Sequence, residues 1–533
     1  MAPVHLIAGP PGTGKTYTLI RRRLRALIEA GVAPSRIAVC SYTRAAADEA
    51  IERAQEEFDL GQQRPPFWNT LHGIGLRHIR EGSPHEVTVA TAQHWRDFFS
   101  AHGIQGGGRD LSDFEDGDGG ENEGDHLRAF LDWRHINLLG AAEGLSRYAE
   151  RFPDGSPIGG ARVAWFEQAW EDCKREQGLC DYTDMLRALA GASVPEIDWL
   201  IVDEAQDLNP LQVRIVQGWM RQVETIIGCD VDQAIYGFQG ADPGWLLQWR
   251  PEVALDESRR VPRRIQARAA ALIARNRRRH GTAWRPRDEE GSIAEGDLDL
   301  LPYTVRRTPG SWYVLTRNRF YLKAVAEVCN QAGLPYWNRS EWCPLKRLWE
   351  KGKFGGAPSA MASMLRLALG MPVAVDEAEA VWRGHKELWL PGAGLAFREW
   401  RRRGEGYLLD RGDLQRVASD QLAGALQQPA ATLRLFGLQS WQTRYYVDLA
   451  ARGGAASLFE RPRLEIGTVH SVKGLEADHV ALLPNFTRRT AYGYDADPEP
   501  ERRVWYVGMT RARHSLHNLG KIGGRTARYF DEL

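Results

Sequence analysis

The feature that most constrains the fold of this chain is a glycine-rich loop near its N-terminus, in the stretch "LIAGPPGTGKTYT". An apolar run, residues 5–8, leads into Gly-x-x-x-x-Gly-Lys-Thr, and apolar residues at helical spacing follow it. Backbone N–H groups of such a loop, together with a helix N-terminus, surround phosphate oxygens. The alternative, an ordinary Gly/Pro turn before a helix, is disfavoured because strand, loop, Lys-Thr and helix all occur in order. We therefore predict a nucleotide site formed by Gly9, Pro10, Pro11, Gly12, Thr13, Gly14, Lys15 and Thr16.

An acidic pair after a second apolar run completes this site. Residues 199–202 of "DWLIVDEAQDLNP" are predicted to form a buried strand that ends in Asp203 and Glu204. Asp203 and the Thr16 hydroxyl would hold Mg²⁺, while Glu204 would orient and deprotonate the attacking water. An Asp-Glu pair alone is a weak signal, because helix starts often look the same, but its combination with Lys15 is strong. Adjacent carboxylates favour hydrolysis over phosphoryl transfer to a small acceptor.

The balance of charges bears on what else the chain binds. Lys+Arg and Asp+Glu number 69 each, so a polyanion must be held by local basic patches and not by net charge. Only nine of the basic residues are lysines, which makes Lys15 and Lys473 informative. No apolar run approaches the roughly 18 residues of a membrane span, and the N-terminus lacks a signal peptide's basic segment. With six cysteines that show no metal-like spacing, we expect a cytoplasmic protein with reduced thiols.

The stretch "VWYVGMTRARHSL" near the C-terminus contains a further candidate for the site. Its apolar residues 504–507 are predicted to form a strand that leads to Thr510 and Arg511. An arginine positioned at the end of a strand usually binds an anion.

Eight segments, in order, resemble those of one family. They are "SYTRAAADEA", "NTLHG", "DYTDML", "DEAQD", "DVDQAIYGFQGAD", "LDESRRVPRRI", "TVHSVKGLEADHV" and "YVGMTRAR". Together with the phosphate loop they resemble the UvrD/Rep-like superfamily 1 DNA helicases over most of the chain. A chance match at one motif is plausible, but eight in register are not. The form "VHSVKGLE" differs from the 5′→3′ Pif1/RecD-like branch, which typically has Gln where this chain has Lys473.

The resemblance implies an α/β fold of two RecA-like P-loop domains, with parallel sheets flanked by helices and mainly helical accessory insertions. It places one ATP between these domains, so that Arg511 and Arg260 meet the γ-phosphate held by Lys15. Such arginines stabilise the transferring phosphoryl group, an effect worth roughly 10³–10⁵ in rate in other NTPases. The remaining implied contacts are a γ-phosphate sensor, Gln233, and phosphate and ribose contacts, Gly474 and Glu476.

The contacts to the nucleotide base depart from the family pattern. Relatives stack adenine between an arginine just after the loop threonine and a tyrosine in the segment that reads "SRR" in this chain. This chain has Tyr17 at the first of these positions and Arg259 at the second. Stacking of an aromatic ring on a guanidinium is symmetric under that exchange, so either order holds a base face. The glutamine that reads the adenine edge in relatives lies well before the loop, and Gly9 is too near residue 1 to leave room for it. We expect ATP binding with poor discrimination against GTP.

The resemblance also implies a track for single-stranded DNA. Stacking on aromatic side chains, worth ~1–3 kcal/mol per base, grips a strand without reading its sequence. The family positions for DNA contacts fall on Thr43, His72, Tyr236, Phe238 and His470. Core packing is the alternative for the two aromatic residues, and a hydrogen-bonded loop position is the alternative for the two histidines. The nine arginines of Ser258–His280 are interpreted partly as a solvated helix face and partly as phosphate contacts.

We predict four domains from the placement of these motifs. The first RecA-like domain covers residues 1–80 and 181–250, interrupted by an accessory domain, 81–180, that contains an acidic, Gly-rich surface loop. The second covers 251–344 and 456–533, interrupted by a reduced accessory domain, 345–455. The tryptophans of this last segment, Trp382, Trp389, Trp400 and Trp441, are interpreted as core residues. Its small size argues against processive unwinding more than against ATP hydrolysis.

Three functions compete on this sequence. The first is an ATP- and Mg²⁺-dependent 3′→5′ DNA helicase that translocates on single-stranded DNA and acts at single/double-strand junctions. The second is a translocase that displaces bound proteins from a single strand with little unwinding. The third is a scaffold that binds nucleotide without hydrolysing it, which the joint presence of Lys15, Glu204, Arg260 and Arg511 disfavours.

Overall fold

The chain divides into two compact units in the computed structural model. Unit 1 comprises Met1–Glu295, Thr316–Phe320 and Val472–Leu533, and unit 2 comprises Gly296–Leu315 and Tyr321–Ser471. The structure describes residues 2–41, 64–108, 111, 122–151, 158–340, 343–349, 359–404, 406–523 and 528–533. The four-domain division stated above has other boundaries than these two units and stays a prediction.

A six-stranded parallel sheet lies in unit 1 and positions the predicted nucleotide site. Its strands follow the order Trp68–Asn69, Ile37–Ser41, Trp199–Asp203, Glu224–Cys229, Val4–Ala8 and Val253–Ala254. Because parallel strands end at the same edge of a sheet, the segments that follow Ala8 and Asp203 leave on one side. Both strands predicted from the apolar runs are confirmed.

The strand Val4–Ala8 shows why both faces of this sheet are covered. Successive side chains of a strand point to opposite faces. Leu6 and Ala8 pack in a cluster with the helices Leu71–Gly82 and Pro210–Met220. Ile7 packs on the other face, against the helix that follows the phosphate loop. The short apolar run is therefore typical of a strand buried on both faces.

The predicted helix after the phosphate loop is present and begins at Lys15. It is α-helical over Lys15–Tyr17, widens to a π-helix over Thr18–Leu24 and is α-helical again over Arg25–Glu29. Its apolar face packs on the sheet. A π-helical segment of this kind is often found at functional sites.

The predicted strand at residues 504–507 is wrong, because these residues lie in the helix Glu499–Met509. Residues Val504–Met509 are all buried, so the second half of the helix has no polar face and its sequence is a continuous apolar run. Such a run does not distinguish a buried strand from a buried helix. Pro500 and two acidic residues in the first turn, Glu499 and Glu501, favour a helix start.

The other strands of unit 1 are three neighbouring strands of a second sheet and three two-stranded pairs. Ala477–Leu483 pairs in parallel with Ala512–Leu519, next to which Ser292–Gly296 lies. The two-stranded pairs are Glu257–Pro262 with Arg285–Arg287, Thr88–Val89 with Leu179–Cys180, and Asn485–Phe486 with Arg528–Tyr529.

Helices make up the rest of unit 1. The remaining α-helices are Ala92–Ala101, Glu123–Ile136, Ala141–Arg151, Gly160–Gln177, Tyr182–Gly191, Arg263–Ile273 and Arg488–Ala496. The 3₁₀ helices are Pro34–Arg36, Ala205–Asp207, Val231–Gln233, Gly237–Gln239, Pro243–Leu246 and Arg319–Tyr321, of which the last ends at the boundary with unit 2. Four of the α-helices, between residues 92 and 177, enclose an aromatic core that includes Trp95, Phe99, Phe166 and Trp170.

Unit 2 combines short strands with many helices. Its strands are Trp312–Thr316, Trp337–Asn338 and Leu464–Thr468, with the pair Val373–Ala374 and Leu408–Leu409. Its α-helices are Leu301–Arg307, Leu322–Ala332, Pro344–Trp349, Ala360–Ala368, Val375–Gly384, Ala393–Arg402, Arg411–Gln415, Asp420–Ala425, Pro429–Leu435 and Ser440–Gly453. Its 3₁₀ helices are Leu298–Leu300, Lys386–Leu388, Ala455–Leu458 and His470–Val472, of which the last crosses into unit 1.

The tryptophans of 345–455 mostly pack in a core, as interpreted from the sequence. Trp389 and Trp400 are buried, and Trp382 packs against the same cluster. Trp441, in contrast, is 50% exposed. In the described part of the chain, no helix has both the length and the apolarity needed to cross a membrane.

Candidate nucleotide site

The phosphate loop adopts a conformation that only its glycines allow without strain. Gly12 and Gly14 have φ of 78° and 84°, in the left-handed region that glycine tolerates. A Cβ on Gly12 would lie 2.6 Å from Arg260 Cβ and 2.7 Å from Ser258 Oγ. The Lys15 ammonium is buried and donates a hydrogen bond of 2.8 Å to the Gly9 carbonyl. The loop thus turns its backbone around the lysine, as a phosphate cradle requires.

The strand Glu257–Pro262 is held directly on this loop. Ser258 Oγ donates to the Pro11 carbonyl at 2.8 Å, and Arg259 N donates to the Gly12 carbonyl at 2.9 Å. These two bonds fix the backbone on which Arg259 and Arg260 stand. The sequence did not identify Ser258 as a site residue, because a serine in an arginine-rich run carries no distinctive signal.

The acidic pair lies next to the loop, at the end of its strand. Thr16 Oγ1 donates to Asp203 Oδ2 at 2.7 Å, which brings both predicted magnesium ligands together. Burial, reinforced by the charge of Glu204, raises the pKa of Asp203 to about 6. Burial would also raise the pKa of Glu204, but Lys15 and Lys473 outweigh it and hold that pKa below its usual value. Glu204 therefore stays a carboxylate, as a general base must be.

The backbone at Glu204 is in an unusual conformation. Its φ of 53° lies in the left-handed region, although it is not a glycine. Such a conformation costs of order 1–3 kcal/mol and is typical of functional sites, where the surroundings hold it. Here the Glu204 N–H donates to Asp203 Oδ1 at 2.9 Å, and the carboxylate accepts a hydrogen bond from Gln206.

Arg511 lies fully buried at the end of the helix Glu499–Met509, with 1% exposure. Its guanidinium donates to the Gln233 side-chain oxygen at 3.0 Å and to the Val507 carbonyl at 2.9 Å. Burial, together with the nearby charge of Arg260, lowers the pKa of Arg511 to about 9. The side chain is thus still a cation at neutral pH. The predicted arginine and the predicted γ-phosphate sensor are in direct contact.

Arg260 and Glu476 form the second charged contact of the site. Arg260 Nε donates to Glu476 Oε2 at 2.5 Å, and Arg513 lies 3.1 Å from the other carboxylate oxygen. Gly474, two residues earlier, has φ of 84°. Arg260 is therefore paired with a carboxylate that the sequence placed in the same site.

Lys473 has a partner that the sequence did not predict. Its ammonium forms an ion pair with Asp207 and donates to the Gln233 carbonyl at 2.6 Å. Burial raises the pKa of Asp207 to about 7, although Lys473 acts in the opposite direction. The scarcity of lysine drew attention to Lys473, but no local pattern connects residues 207 and 473.

One cavity of ≈ 350 Å³ collects nearly all of the predicted nucleotide residues. It is lined by Pro11, Gly12, Gly14, Lys15, Thr16, Tyr17, Asp203, Glu204, Asp207, Gln233, Tyr236, Arg259, Arg260, Lys473, Gly474, Glu476 and Arg511. Gly9, Pro10 and Thr13 complete the loop without lining the cavity, and Thr13 Oγ1 donates to the Pro10 carbonyl at 2.8 Å. Tyr17 is 43% exposed, and Arg259 is also exposed.

The residues predicted to contact DNA are distributed over several places. Tyr236 lines the nucleotide cavity, and its ring centroid lies 5.9 Å from that of Phe238. Phe238 is buried and lines a second cavity in unit 1, of ≈ 740 Å³, together with Trp133 and Tyr492. Thr43 lies outside the described residues.

The two predicted histidines lie in neither cavity. His72 packs edge-on against Tyr182, a ring that is 60% exposed, with centroids 5.7 Å apart. Burial lowers the pKa of His72 to about 4, so it is neutral at physiological pH. His470, in unit 2, is half-buried at the start of a 3₁₀ helix.

The arginine run Ser258–His280 is mainly engaged within the protein. Its ion pairs include Arg263 with Asp288, Arg264 with Glu290, Arg275 with Glu532, and Arg279 with Asp232. Several of these pairs are exposed, which agrees with a solvated helix face. No group of three or more metal-binding side chains of the His, Cys, Asp and Glu type occurs among the described residues.

The parallel sheet, the phosphate loop and the acidic pair together define a P-loop nucleotide-binding protein. Two sequence families match the chain: the AAA domain over residues 1–239 and the UvrD-like helicase C-terminal domain over residues 449–518. The chain belongs to the UvrD/Rep-like helicases.

Two sequence relatives agree with this assignment. "ATP-dependent DNA helicase UvrD2" of Mycobacterium tuberculosis is 26% identical, over 96% of this chain and 76% of that protein. "Putative ATP-dependent DNA helicase YjcD" of Bacillus subtilis is 21% identical, over 97% of this chain and 76% of that protein. A solved arterivirus nonstructural protein 10 (helicase) with DNA aligns with 97% of this chain and 61% of its own, at 9% identity and a TM-score of 0.32. This chain thus covers less than two thirds of that viral helicase.

Proposed function

We propose that this chain is an ATP-dependent DNA helicase that translocates 3′→5′ on single-stranded DNA and opens duplexes at single/double-strand junctions. The observation that carries the proposal is the convergence of Lys15, Asp203, Glu204, Gln233, Arg260 and Arg511 on one cavity. The names of the relatives, which are ATP-dependent DNA helicases, support the same reaction. Lys473 in "VHSVKGLE" supports the 3′→5′ direction through the family resemblance.

Each side chain of the cavity has a role in hydrolysis that follows from its chemistry. Lys15, which now donates to the Gly9 carbonyl, would turn to the β- and γ-phosphates of ATP. Glu204 would take the proton of the attacking water, because its pKa is held low and it remains ionised. Arg260 and Arg511 would stabilise the charge that develops on the γ-phosphate. Arg260 must exchange its contact with Glu476 for this role.

Magnesium fits the same site. Thr16 and Asp203 present hard oxygen atoms that already lie 2.7 Å apart, and Mg²⁺ prefers oxygen ligands of this kind together with phosphate. These two residues would hold the ion, which neutralises phosphate charge when bound.

The track for single-stranded DNA is assigned to the surface around Phe238. The ≈ 740 Å³ cavity that Phe238 lines contains the rings of Trp133 and Tyr492 and the guanidiniums of Arg147 and Arg489, beside the carboxylates of Glu150, Asp497 and Glu501. Aromatic faces and cations in one groove are what a single strand requires. Tyr236 lies next to Phe238 and also lines the nucleotide cavity. A change of nucleotide at this cavity would therefore act on the DNA contacts through Tyr236.

Strand displacement tests the proposal. Duplexes with a 3′ or a 5′ single-stranded tail are incubated with the protein, ATP and Mg²⁺, and release of the labelled strand is measured beside ATP hydrolysis. We expect release from the 3′-tailed duplex, with Lys15→Ala inactive in both assays. Release from the 5′-tailed duplex alone would refute the direction. DNA-stimulated hydrolysis without release from either duplex would favour a translocase that displaces proteins.

A further inference from the structure

Gln206 lies beside the predicted base and is fully buried, with 0% exposure. Its amide group contacts Glu204 through Nε2 and also donates to Asp207 Oδ2 at 3.3 Å. Its oxygen accepts a hydrogen bond of 3.0 Å from Asp230 N. The NH₂ group of a carboxamide can donate two hydrogen bonds and its oxygen can accept two, so the contacts of Gln206 use both the NH₂ group and the oxygen.

These contacts belong to a longer series of hydrogen bonds. Asp230 Oδ2 accepts from Gln233 Nε2 at 2.6 Å, and Gln233 Oε1 accepts from Arg511 Nη2 at 3.0 Å. Gln206 thus lies between Glu204 and the residues proposed to sense and stabilise the γ-phosphate. Asp230, Gln233 and Arg511 are all buried, so water does not compete strongly for these bonds.

We propose that Gln206 is a positioning residue: it fixes the Glu204 carboxylate toward the attacking water and links it through Asp230 to Gln233 and Arg511. This inference rests on the proposed function, because it requires Glu204 to be the base. Glu204 has a left-handed backbone and directly precedes the 3₁₀ helix Ala205–Asp207, so Gln206 lies on the first turn after it and is placed to restrain its carboxylate. Gln206 itself does not line the nucleotide cavity and is not expected to touch ATP.

The test replaces Gln206 by two residues of similar length. Gln206→Met keeps the volume but removes every hydrogen bond of the side chain. Gln206→Glu, when ionised, retains an acceptor for the Asp230 N–H but has no donor for Glu204, and it adds a like charge. We expect both to lower kcat for single-strand-stimulated ATP hydrolysis by about 10- to 100-fold, with KM for ATP changed by less than about threefold.

Gln212→Met is the matched control. Gln212 is also a buried glutamine, 2% exposed, and its oxygen accepts from Asn209 N at 3.0 Å at the start of the helix Pro210–Met220. Its loss removes a helix cap and should lower the melting temperature while leaving kcat within about twofold. The two variants are compared at equal melting temperature. If kcat then falls more with Gln206→Met than with Gln212→Met, the loss reflects positioning and not stability.

A double-mutant cycle with Glu204→Gln decides whether Gln206 acts through the base. Single-turnover phosphate release is measured for Glu204→Gln alone and combined with Gln206→Met. If Gln206 acts by positioning Glu204, adding Gln206→Met to Glu204→Gln should lower the rate of phosphate release by less than about a further twofold. Full additivity of the two losses, or near-normal kcat in both folded Gln206 variants, would overturn the inference while leaving the proposed function intact. Near-normal turnover of Glu204→Gln itself would overturn the assignment of the base, and the positioning role with it.

Discussion

Alanine at Gly12 should disturb the contact between the phosphate loop and the strand Glu257–Pro262. Gly12, Gly14 and Gly474 have similar positive φ values of 78°, 84° and 84°. An L-residue in this region costs roughly 1–2 kcal/mol, so each of the three alanine variants bears this conformational penalty.

The surroundings of the three glycines differ. A Cβ on Gly14 has its nearest neighbour at 3.8 Å, and one on Gly474 meets nothing within 4 Å. A Cβ on Gly12 meets Arg260 Cβ at 2.6 Å and the Arg260 backbone N at 3.1 Å, and backbone does not move aside cheaply. Such overpacking typically adds about 1–3 kcal/mol. Gly12→Ala should therefore lower the free energy of unfolding by about 2–5 kcal/mol, against about 1–2 kcal/mol for the other two.

Thermal and denaturant unfolding without nucleotide measure this difference. Leaving nucleotide out matters, because Gly12, Gly14 and Gly474 all line the cavity and their alanine variants are expected to affect ATP binding as well as stability. Gly12→Ala should show the lowest melting temperature of the three, and it should also lower kcat, since the strand it displaces carries Arg260. Equal stability of Gly12→Ala and Gly474→Ala would refute the close contact between loop and strand.

Three further predictions concern the catalytic arginines, the choice of nucleotide and the pH dependence of stability. Arg260→Ala and Arg511→Ala should each reduce ATP turnover by orders of magnitude while the affinity for single-stranded DNA persists. Phe238→Ala should instead weaken single-strand binding and DNA stimulation, with less effect on basal hydrolysis. Equal effects of both classes of variant on single-strand affinity would contradict separate sites. Because stacking at the base end of the cavity does not read the base edge, kcat/KM for ATP and GTP should agree within tenfold, about 1.4 kcal/mol, and a hundredfold ATP preference would show that another residue reads the edge. Desolvation lowers the pKa of the half-buried His72 to about 4 from 6.5, so the stability of the neutral histidine is present above pH 6.5 and is lost as pH falls toward 4. His72→Gln should therefore flatten the dependence of the melting temperature on pH over this range, and an unchanged profile would contradict the lowered pKa of His72.

The phosphate loop and the strands at Ala8 and Asp203 could be predicted from the sequence because their signals are local. A glycine pattern, an apolar run and a following Lys-Thr fix the backbone within a few residues, and the structure differs from these predictions only at element ends. The helix Glu499–Met509 was predicted as a strand, because burial on all sides removes the periodicity that distinguishes the two.

The contacts between distant segments could not be predicted in the same way. Lys473 meets Asp207 across 266 positions, and Ser258 meets Pro11 across 247. Neither partner carries a pattern that points to the other, since only the packed sheet and its loops bring them together. Arg511 and Gln233 were assigned to one site from family resemblance, but their direct hydrogen bond became visible only in the folded chain.

The central claim is that ATP binding and ATP hydrolysis depend on different residues of one cavity. The most direct measurement compares Lys15→Ala and Glu204→Gln for binding of a fluorescent ATP analogue and for ATP hydrolysis with single-stranded DNA. We expect Lys15→Ala to lose nucleotide binding, because the cation that reaches the phosphates is gone, and Glu204→Gln to bind nucleotide normally but to hydrolyse it at least about a hundredfold more slowly. Near-normal turnover by Glu204→Gln would contradict the assignment of the base and, with it, the mechanism proposed for this site.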